Sequence, residues 1–335
     1  MFNKIYVKIV KYIKEEYKFL IFLAILTAVL IYPLPYNIHM GGGTVDIAKK
    51  IEIQDEYKEN GSYNMAYVKT SKATIPTYLL SYIFNWERED IDDLKLDEND
   101  NASDIWERER IYLQEANDNA VISAYTKARE DINIKKELLK IIYVDKDSDT
   151  DLKTGDTLIK IDGVEIKKFA DIADLLQKYN IGDKISVTYL RNDKEKEGYV
   201  VVRELNDTKR IGLYLARLFE YDLKRNIKID FDSSEGGPSG GFMLSLAIFD
   251  RLTKEDLAKG RKIVGTGTID DKGNVGMIGG VKYKVMGANS GKADILFVPV
   301  DNYEEAIKFK EEKGYDINIV KVSTLDDAIE YLRRN

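Results

Sequence analysis

The spacing of apolar and polar positions changes several times along the chain, and each spacing predicts a different element. The first is an uncharged run of 18 residues, FLIFLAILTAVLIYPLPY, over positions 19–36. As a helix it would span roughly 27 Å at about 1.5 Å per residue, close to the hydrocarbon core of a bilayer. Five lysines and only two glutamates precede it, so the positive-inside rule predicts a transmembrane anchor with residues 1–18 in the cytoplasm and the rest of the chain outside. A cleaved signal peptide and a buried core helix are the alternatives.

Residues 37–134 are predicted to form a small membrane-proximal unit that begins with a β-hairpin. Runs of strand character cover residues 51–57 and 62–68. They flank Asn60 and Gly61, a dipeptide that is typical of two-residue hairpin turns because both residues tolerate positive φ. The pattern therefore predicts that these two strands pair with each other.

Two helices are predicted after this hairpin. Thr74 and Pro76 have the residue types of a helix cap and a first turn, and an apolar run follows them. Further along, apolar residues recur at helical spacing over Ile105 to Ala128, which predicts a long amphipathic helix. The dense charges around its start are interpreted as a solvated face.

From about residue 135 the pattern changes to short strands separated by Gly-Asp turns. The stretch KTGDTLIKIDGVEI, followed by the helical FADIADLLQKY, resembles a PDZ domain over about residues 135–206. The resemblance implies that an extended peptide is held at a sheet edge, for substrate docking or for gating. It also implies a carboxylate-binding loop just before Ile141, where residues 138–140 stand instead of a glycine-rich turn. A β domain that serves only as a spacer is the alternative.

Composition and charge exclude several classes of function. The chain has 335 residues, and its net charge of -7, from 51 Lys and Arg against 58 Asp and Glu, argues against a nucleic-acid-binding protein. The absence of cysteine excludes a disulfide scaffold, a thiolate zinc site and a cysteine nucleophile. The only histidine, His39, lies beside the apolar run, so a Ser-His-Asp triad lacks a well-placed base.

A glycine-rich turn within EGGPSGGFMLSLAIFDRL, residues 235–252, brings Ser239 to the start of an apolar helix. Unpaired backbone N–H groups and the helix dipole at that position suit a developing oxyanion. A serine nucleophile needs a base, and the helix expected after Gly280 carries Lys282 and Lys284. These two lysines point about 200° apart on a helix, so only one can face the serine. The alternative, a phosphate cradle, lacks the G-x-x-x-x-G-K-(S/T) pattern anywhere in the chain.

The sequence Gly-Pro-Ser-Gly-Gly followed by Gly-Gly-Val-Lys-Tyr-Lys resembles the proteolytic domain of Lon proteases, over about residues 207–335. The resemblance implies that Ser239 is the nucleophile and Lys284 the general base. It also implies that the hydroxyl of Thr266 orients the lysine amine. Supporting residues of the nucleophile turn are Gly237, Pro238 and Gly240.

Two positions depart from the pattern of that family. Gly240 replaces the usual alanine, and Glu235 stands one residue farther from the serine than the acid of ATP-driven relatives. Neither departure removes a catalytic atom. With the anchor and the PDZ-like segment in front, the whole chain resembles the membrane-bound, Lon-like PDZ proteases of Gram-positive bacteria.

The predicted fold class is an α+β multidomain chain that ends in an α/β proteolytic domain of the Lon type. The alternation of strands and helices after the nucleophile supports the α/β assignment of this last domain. The predicted divisions are a cytoplasmic basic segment 1–18, a transmembrane anchor 19–36, a hairpin and helical region 37–134, a PDZ-like β domain 135–206 and a proteolytic domain 207–335.

These features predict an ATP-independent serine endopeptidase with a Ser-Lys dyad, cleaving extracytoplasmic peptides or membrane-protein ectodomains docked through the PDZ-like domain. The amine of Lys284 must be neutral to accept a proton, so burial must lower its pKa. No metal, organic cofactor, nucleotide or nucleic acid is expected, and a ring and a monomer are both compatible with the sequence. The alternatives are a catalytically silent, membrane-tethered PDZ scaffold and a signal-peptidase-like enzyme. The all-β fold of signal peptidases disagrees with the helices expected after Ser239.

Overall fold

Helices and strands alternate through the part of the chain that the computed structural model describes, residues 2–98, 100–205, 207–231 and 237–335. The helices are α1 Phe2–Ile31, α2 Ile75–Ile83, α3 Ala102–Ala128, α4 Ala170–Leu176, α5 Gly241–Leu252, α6 Val281–Ser290, α7 Tyr303–Lys313 and α8 Leu325–Arg334. The strands are β1 Pro33–Met40, β2 Thr44–Asp46, β3 Ile51–Ile53, β4 Ser62–Ala66, β5 Lys69–Thr74, β6 Glu87–Asp90, β7 Ile132–Val144, β8 Thr157–Ile161, β9 Val164–Glu165, β10 Lys184–Arg191, β11 Lys194–Val201, β12 Arg203–Leu205, β13 Thr208–Arg210, β14 Leu213–Leu223, β15 Ile227–Ile229, β16 Lys262–Gly265, β17 Thr268–Ile269, β18 Val275–Gly276, β19 Ile295–Pro299 and β20 Asn318–Val322. They belong to two compact units, the first formed by the chain up to Met40 with Lys69–Leu94, the second by Gly41–Val68 with Lys95–Asn335.

The uncharged part of the first helix is shorter than the predicted anchor. α1 ends at Ile31 and β1 begins at Pro33, because proline lacks a backbone N–H and disfavours a helical conformation in the residue before it. The uncharged part of α1 is therefore residues 19–31, which span about 20 Å against the roughly 30 Å of a bilayer core. Within the described ranges, no helix is long and apolar enough to cross a bilayer. The prediction of a helix over all of residues 19–36 is wrong at its C-terminal end, since residues 33–36 belong to a strand.

The first unit contains a three-stranded antiparallel sheet in the order β5, β1, β6, with α2 packed on β1 and β5. The predicted start of α2 is confirmed: the backbone N–H of Thr74 donates to Oγ1 of Thr77 (2.7 Å) just before the helix. His39 lies on β1, where Nδ1 is 2.9 Å from Oγ1 of Thr70 and Nε2 is 3.0 Å from Oε2 of Glu89. The histidine of this chain is therefore a sheet residue with two polar partners.

A five-stranded sheet in the order β2, β4, β16, β19, β20 forms the middle layer of the second unit. The last four of these strands are parallel, and β2 is antiparallel at one edge. Residues of β19 alternate between two cores. Ile295 and Phe297 pack with α3, α5 and α8, whereas Leu296 and Val298 pack with α6 and α7. Such continuous apolar strands are typical of a parallel sheet covered by helices on both faces, and they confirm the α/β character predicted for the C-terminal domain.

The predicted order of elements after Ser239 is also present. β17 and β18 form a hairpin around residues 271–274, and α6 follows Gly280 as expected. The remaining elements alternate as β19, α7, β20 and α8 to the end of the chain.

Residues 37–134 do not form a separate unit with its own hairpin. β3 pairs with β15, and β4 pairs with β2 and β16. Glycine at position 61 instead allows a close contact with a distant part of the backbone. Gly61 has a φ of 123°, and a Cβ there would lie 2.6 Å from the carbonyl oxygen of Arg261. The hairpin prediction is wrong, since β3 pairs with β15 in a two-stranded sheet and β4 joins the five-stranded sheet.

The predicted long helix is confirmed as α3, and it serves two parts of the second unit. Its cap, Asn101, accepts the backbone N–H groups of the first helical turn. Ala116, Ala120 and Ala124 lie on the side that packs against α5, where small side chains allow close approach. Another side lies beside β7 and β14. A helix from the predicted membrane-proximal region therefore belongs to the core of the C-terminal α/β domain.

The PDZ-like segment has its own core and stands between α3 and β15 in the chain. Its main sheet has the order β11, β10, β8, β7, β14, and α4 packs beside it. Residues 138–140 lie inside the long strand β7, so the prediction of a carboxylate loop just before Ile141 is wrong. A glycine in the left-handed region, Gly212 with a φ of 66°, instead precedes β14. Because α3 and β15 both pack into the core of the C-terminal α/β domain, the PDZ-like segment interrupts that domain in sequence.

Candidate active site

Ser239 lies in a single 3-10 turn, Pro238–Gly240, immediately before α5. Gly237 opens this turn with a φ of 88°, a conformation that favours glycine. A Cβ on Gly237 would lie 3.4 Å from Oε2 of Glu109 on α3, so a carboxylate borders the turn. The serine is half-buried. The predicted position of Ser239 at the start of a helix is therefore observed, while Glu235 lies outside the described residues.

The carbonyl oxygen of Ser239 fixes the turn to the central sheet. It accepts the backbone N–H of Gly267 (2.9 Å) and the hydroxyl of Thr266 (3.2 Å). In return, the N–H of Phe242 on α5 donates to the carbonyl of Gly267 (3.2 Å). The Ser239 turn is thus held by the chain that connects β16 to β17. The buried Thr266 hydroxyl is used here as a support of Ser239, and its predicted role beside the lysine amine stays a prediction.

The backbone N–H groups of Ser239 and Gly240 lie in the 3-10 turn just before α5, and the N–H of Gly241 donates to the carbonyl of Pro238. The first N–H groups of a helix have no partner within the helix, and the helix dipole adds positive potential there. This end of α5 can therefore stabilise an oxyanion next to the serine.

Lys284 is the buried member of the lysine pair on α6. The helix starts after Gly280, which has a φ of 67°. Lys284 is 4% exposed, and Val281 and Val285 on the same helix are also buried. Lys282 is half-buried, with its ammonium 4.9 Å from the ring centroid of Tyr283. Burial lowers the pKa of Lys284 from its ordinary 10.5 to about 8. Helix geometry alone allowed either lysine to be the base, and burial favours Lys284.

The serine turn and the lysine helix meet the same end of the central sheet. The turn contacts Met65 on β4 and Thr266 just after β16, while Gly280 lies against Val68, two residues beyond β4. Ligands of open parallel sheets bind outside the carboxyl ends of the strands, which is where these residues lie. Among the described residues, Oγ of Ser239 and Nζ of Lys284 do not share a hydrogen bond, and no cluster of metal-ligating side chains occurs.

Met65 is a site residue that sequence reasoning missed. Its thioether occupies the space that a Cβ on residue 240 would need, so the glycine that departs from the family pattern has a steric cause. The signal in the sequence was the apolar run 62–68, but its pairing with β16 depends on residues almost 200 positions away.

A second set of missed residues seats the lysine helix. A Cβ on Gly287 of α6 would lie 2.8 Å from the carbonyl oxygen of Gly43, and the backbone of Tyr67 fills the space beside Gly42. Met286 contacts the neighbouring Gly41, whose added Cβ would lie 3.1 Å from its methyl carbon. The glycine-rich stretch that follows β1 therefore lets α6 approach the sheet closely, and it is more than a linker.

The Gly240→Ala variant is expected to lower both stability and activity. The added methyl group must displace Met65, and overpacking of this kind costs about 1–3 kcal/mol in the free energy of unfolding. The measurement is urea unfolding together with kcat/KM on a peptide substrate. Gly279→Ala is the matched control, because a Cβ there meets nothing within 4 Å. Adding Met65→Ala should make the loss less than additive, and strict additivity would contradict the proposed clash.

Two segments of the chain are similar to known protein families. The Lon protease C-terminal proteolytic domain matches residues 229–334, and the PDZ domain matches residues 125–202. The Lon protease of Aster yellows witches'-broom phytoplasma is 27% identical over 179 residues, which cover 48% of this chain and 22% of that protein. The Lon protease of Campylobacter jejuni is 28% identical over 190 residues, which cover 53% of this chain and 22% of that protein. The matched part is thus about a fifth of the length of these relatives.

Solved structures match the PDZ-like segment. The PDZ domain of an SdrC-like protein from Listeria monocytogenes is 24% identical, covers 23% of this chain and 85% of its own, and has a TM-score of 0.21. The corresponding domain from Listeria innocua is 22% identical, covers 23% of this chain and 92% of its own, and has a TM-score of 0.22. From the two family matches, the chain combines a segment similar to the proteolytic domain of Lon proteases with a segment similar to PDZ domains.

Proposed function

We propose that this protein is an ATP-independent serine endopeptidase with Ser239 as nucleophile and Lys284 as general base. The observation that carries the proposal is the burial of Lys284, which brings its pKa to about 8 at the same end of the sheet as Ser239. A lysine with this pKa is neutral often enough near neutral pH to accept a proton. Independence from ATP is supported by the absence of a phosphate-binding glycine loop in the sequence.

The proposed reaction uses four groups of this chain. Oγ of Ser239 attacks the peptide carbonyl carbon while its proton passes to the neutral amine of Lys284. The N–H groups of Ser239 and Gly240 stabilise the oxyanion that forms. Lys284 then gives the proton to the leaving amine as the C–N bond breaks, which leaves an acyl-enzyme. A water molecule, deprotonated by the again neutral lysine, releases the acyl group and restores the serine.

Peptide docking is proposed at the start of β14, along the outer edge of its sheet. This strand is the last in its sheet, and a cavity of about 390 Å³ lies between it and α4. Ile172 and Leu176 of α4 and Leu213 and Leu215 of β14 give the cavity apolar walls. A peptide could extend the sheet along β14 and place alternate side chains in this cavity. The turn at Gly212 lies at its end, where Arg210 supplies positive charge for a terminal carboxylate.

The predicted location outside the cytoplasm also stands as a proposal. It is supported by the lysine-rich start of α1 and by the exposure of large apolar side chains over residues 19–31, including Phe22 and Ile25 at 59% each. We propose that this part of α1 associates with a membrane. The measurement is digestion of the second unit by a protease added to intact cells, and resistance to digestion there but not in lysed cells would contradict the location.

The experiment that tests the function is cleavage of an unfolded protein by the purified chain in the absence of nucleotide. We expect cleavage that is unaffected by added ATP and by a metal chelator, together with covalent capture of Ser239 by a serine-directed peptide boronate or fluorophosphonate. Cleavage that requires ATP would contradict the proposal. A chain that binds peptides but neither cleaves nor reacts at Ser239 would instead favour the silent PDZ scaffold.

A further inference from the structure

Arg217, on β14, lies where three parts of the second unit meet. Its Nη2 is 2.9 Å from Oε1 of Glu137 on β7 and 3.2 Å from Oδ2 of Asp271, in the turn between β17 and β18. Its backbone N–H donates to Oε1 of Glu115 on α3 (2.8 Å). One residue therefore joins the edge strand of the PDZ-like sheet to a hairpin of the proteolytic domain.

That hairpin leads directly to the nucleophile. Gly267, at its base, donates its backbone N–H to the carbonyl of Ser239 (2.9 Å), and Asn119 of α3 donates to the carbonyl of Ile269 on β17 (3.1 Å). The hairpin is thus bonded to the serine turn at its base and to Arg217 at its tip. A displacement of the tip would be transmitted to the carbonyl that positions Ser239.

These hydrogen bonds of Arg217 also extend toward the cavity between β14 and α4, which is called the peptide groove below. Oε2 of Glu137 accepts the backbone N–H of Phe169 (2.9 Å), the residue immediately before α4. α4 is one wall of the cavity described above, and β14 is the other. One continuous series of hydrogen bonds therefore runs from the residue before α4 through Glu137, Arg217 and Asp271 to the hairpin.

Contacts of α3 with the outer edge of β14 limit how far a docked peptide could pair along this strand. The N–H groups of Arg217 and Phe219 on this edge are taken by Glu115 and Asp118 of α3. Alternate residues of a strand share an edge, so the groups left beside the groove belong to the start of β14. A peptide paired there would stop next to Arg217.

The two carboxylates in this series are largely shielded from solvent, and Arg217 is partly exposed. The side chains of Glu137, Asp271 and Arg217 are 17%, 20% and 37% exposed. Lys135 and Asp222 form an ion pair on the same two strands but are 51% and 62% exposed. Shielded, charge-assisted hydrogen bonds hold geometry better than exposed ion pairs, and the exposed pair supplies a matched control.

We propose that Arg217 is a positioning residue that couples occupation of the peptide groove to the activity of the Ser239 site. The proposal rests on the proposed function. A peptide along β14 orders the strand that carries Arg217 and the helix tied to Glu137, and the bond to Asp271 then holds the hairpin. The groove and the serine turn share one mechanical support, so a ligand with higher affinity for the ordered arrangement raises the population of competent enzyme.

The test uses the full chain with two different peptides. The substrate is a short fluorogenic peptide blocked at its C-terminus, and the effector is a short peptide that ends in leucine with a free carboxylate. We expect the effector to raise kcat by roughly fivefold or more without a matching change in KM. Arg217→Ala should bind the effector yet lose this activation, Arg217→Lys should retain part of it, and Lys135→Ala should behave as the parent.

The outcomes separate this proposal from the proposed function. Activation of Arg217→Ala to the same extent as the parent would overturn the coupling, and so would a parent that hydrolyses the substrate but does not respond to the effector. A parent without hydrolysis would overturn the proposed function. The coupling is then tested by hydrogen exchange. The effector should protect backbone amides of residues 268–276 in the parent and not in Arg217→Ala. Unchanged exchange of these amides in the parent would contradict the coupling.

Discussion

Lys284→Met is expected to lower kcat by at least roughly 10³-fold while leaving KM within a few-fold of the parent, because it removes the group that takes the proton from Ser239. Methionine has a similar length and no charge, so it fills the buried site without adding a polar atom. Lys282→Met, two residues away on the same helix, is the matched control and should retain activity. Equal losses in the two variants would contradict the assignment of the base.

The pH dependence follows from the lowered pKa of the same lysine. Only the neutral amine accepts a proton, so kcat/KM should rise with pH through about 8 and level off above it. Below that point the neutral fraction falls roughly tenfold for each pH unit. Between pH 6 and 9 the neutral fraction of Lys284 should rise by about two orders of magnitude. A flat profile of kcat/KM over this range would show that another group is the base.

Stability should change in the opposite direction to activity. Because burial lowers the pKa of Lys284 from 10.5 to about 8, holding the ammonium form in the folded state at neutral pH costs about 3 kcal/mol. Lys284→Met removes this cost and should raise the free energy of unfolding at pH 7. Between about pH 8 and 10.5 the folded parent has lost the proton that its unfolded state still holds, so the parent becomes more stable and the difference narrows. Thermal unfolding at several pH values measures this difference.

Ser239→Ala is expected to lower kcat by roughly 10⁴-fold or more, the largest effect of any single change in this chain. The fold should be unaffected, because only the backbone carbonyl of Ser239 takes part in the hydrogen bonds that hold the turn. Ser290→Ala, at the exposed end of α6, is a control with the same chemical change.

The two catalytic changes should not add. Ser239 and Lys284 act as one unit, so the double variant should be about as slow as Ser239→Ala alone. A double variant that is slower by the product of both losses would mean that the two residues act independently. Retention of cleavage by purified Ser239→Ala would remove the basis of the proposed mechanism.

Sequence and structure agree best where a signal is local. The cap at Thr74 and the glycine turn before α5 each act on the residues next to them, and α2 and α5 begin where predicted. The long helix α3 begins at Ala102, after a cap at Asn101, and not at the predicted Ile105. Sequence and structure disagree at the end of α1. The apolar run continues past Pro33, but the helix ends before this proline and the residues after it form a strand. Sequence and structure also disagree at Gly61, where a hairpin signal served a long-range backbone contact.

The sequence by itself determined which chemistry was available. With no cysteine and one histidine, it left serine and lysine as the candidate nucleophile and base, and the glycine turns at Gly237 and Gly280 placed them at helix starts. Only the tertiary structure decided which lysine is buried, because the two residues have the same intrinsic properties and differ in what packs around them. It alone decided that β4 joins β16 and that the PDZ-like segment interrupts the proteolytic domain, since strand partners distant in sequence are selected by the total apolar surface they bury.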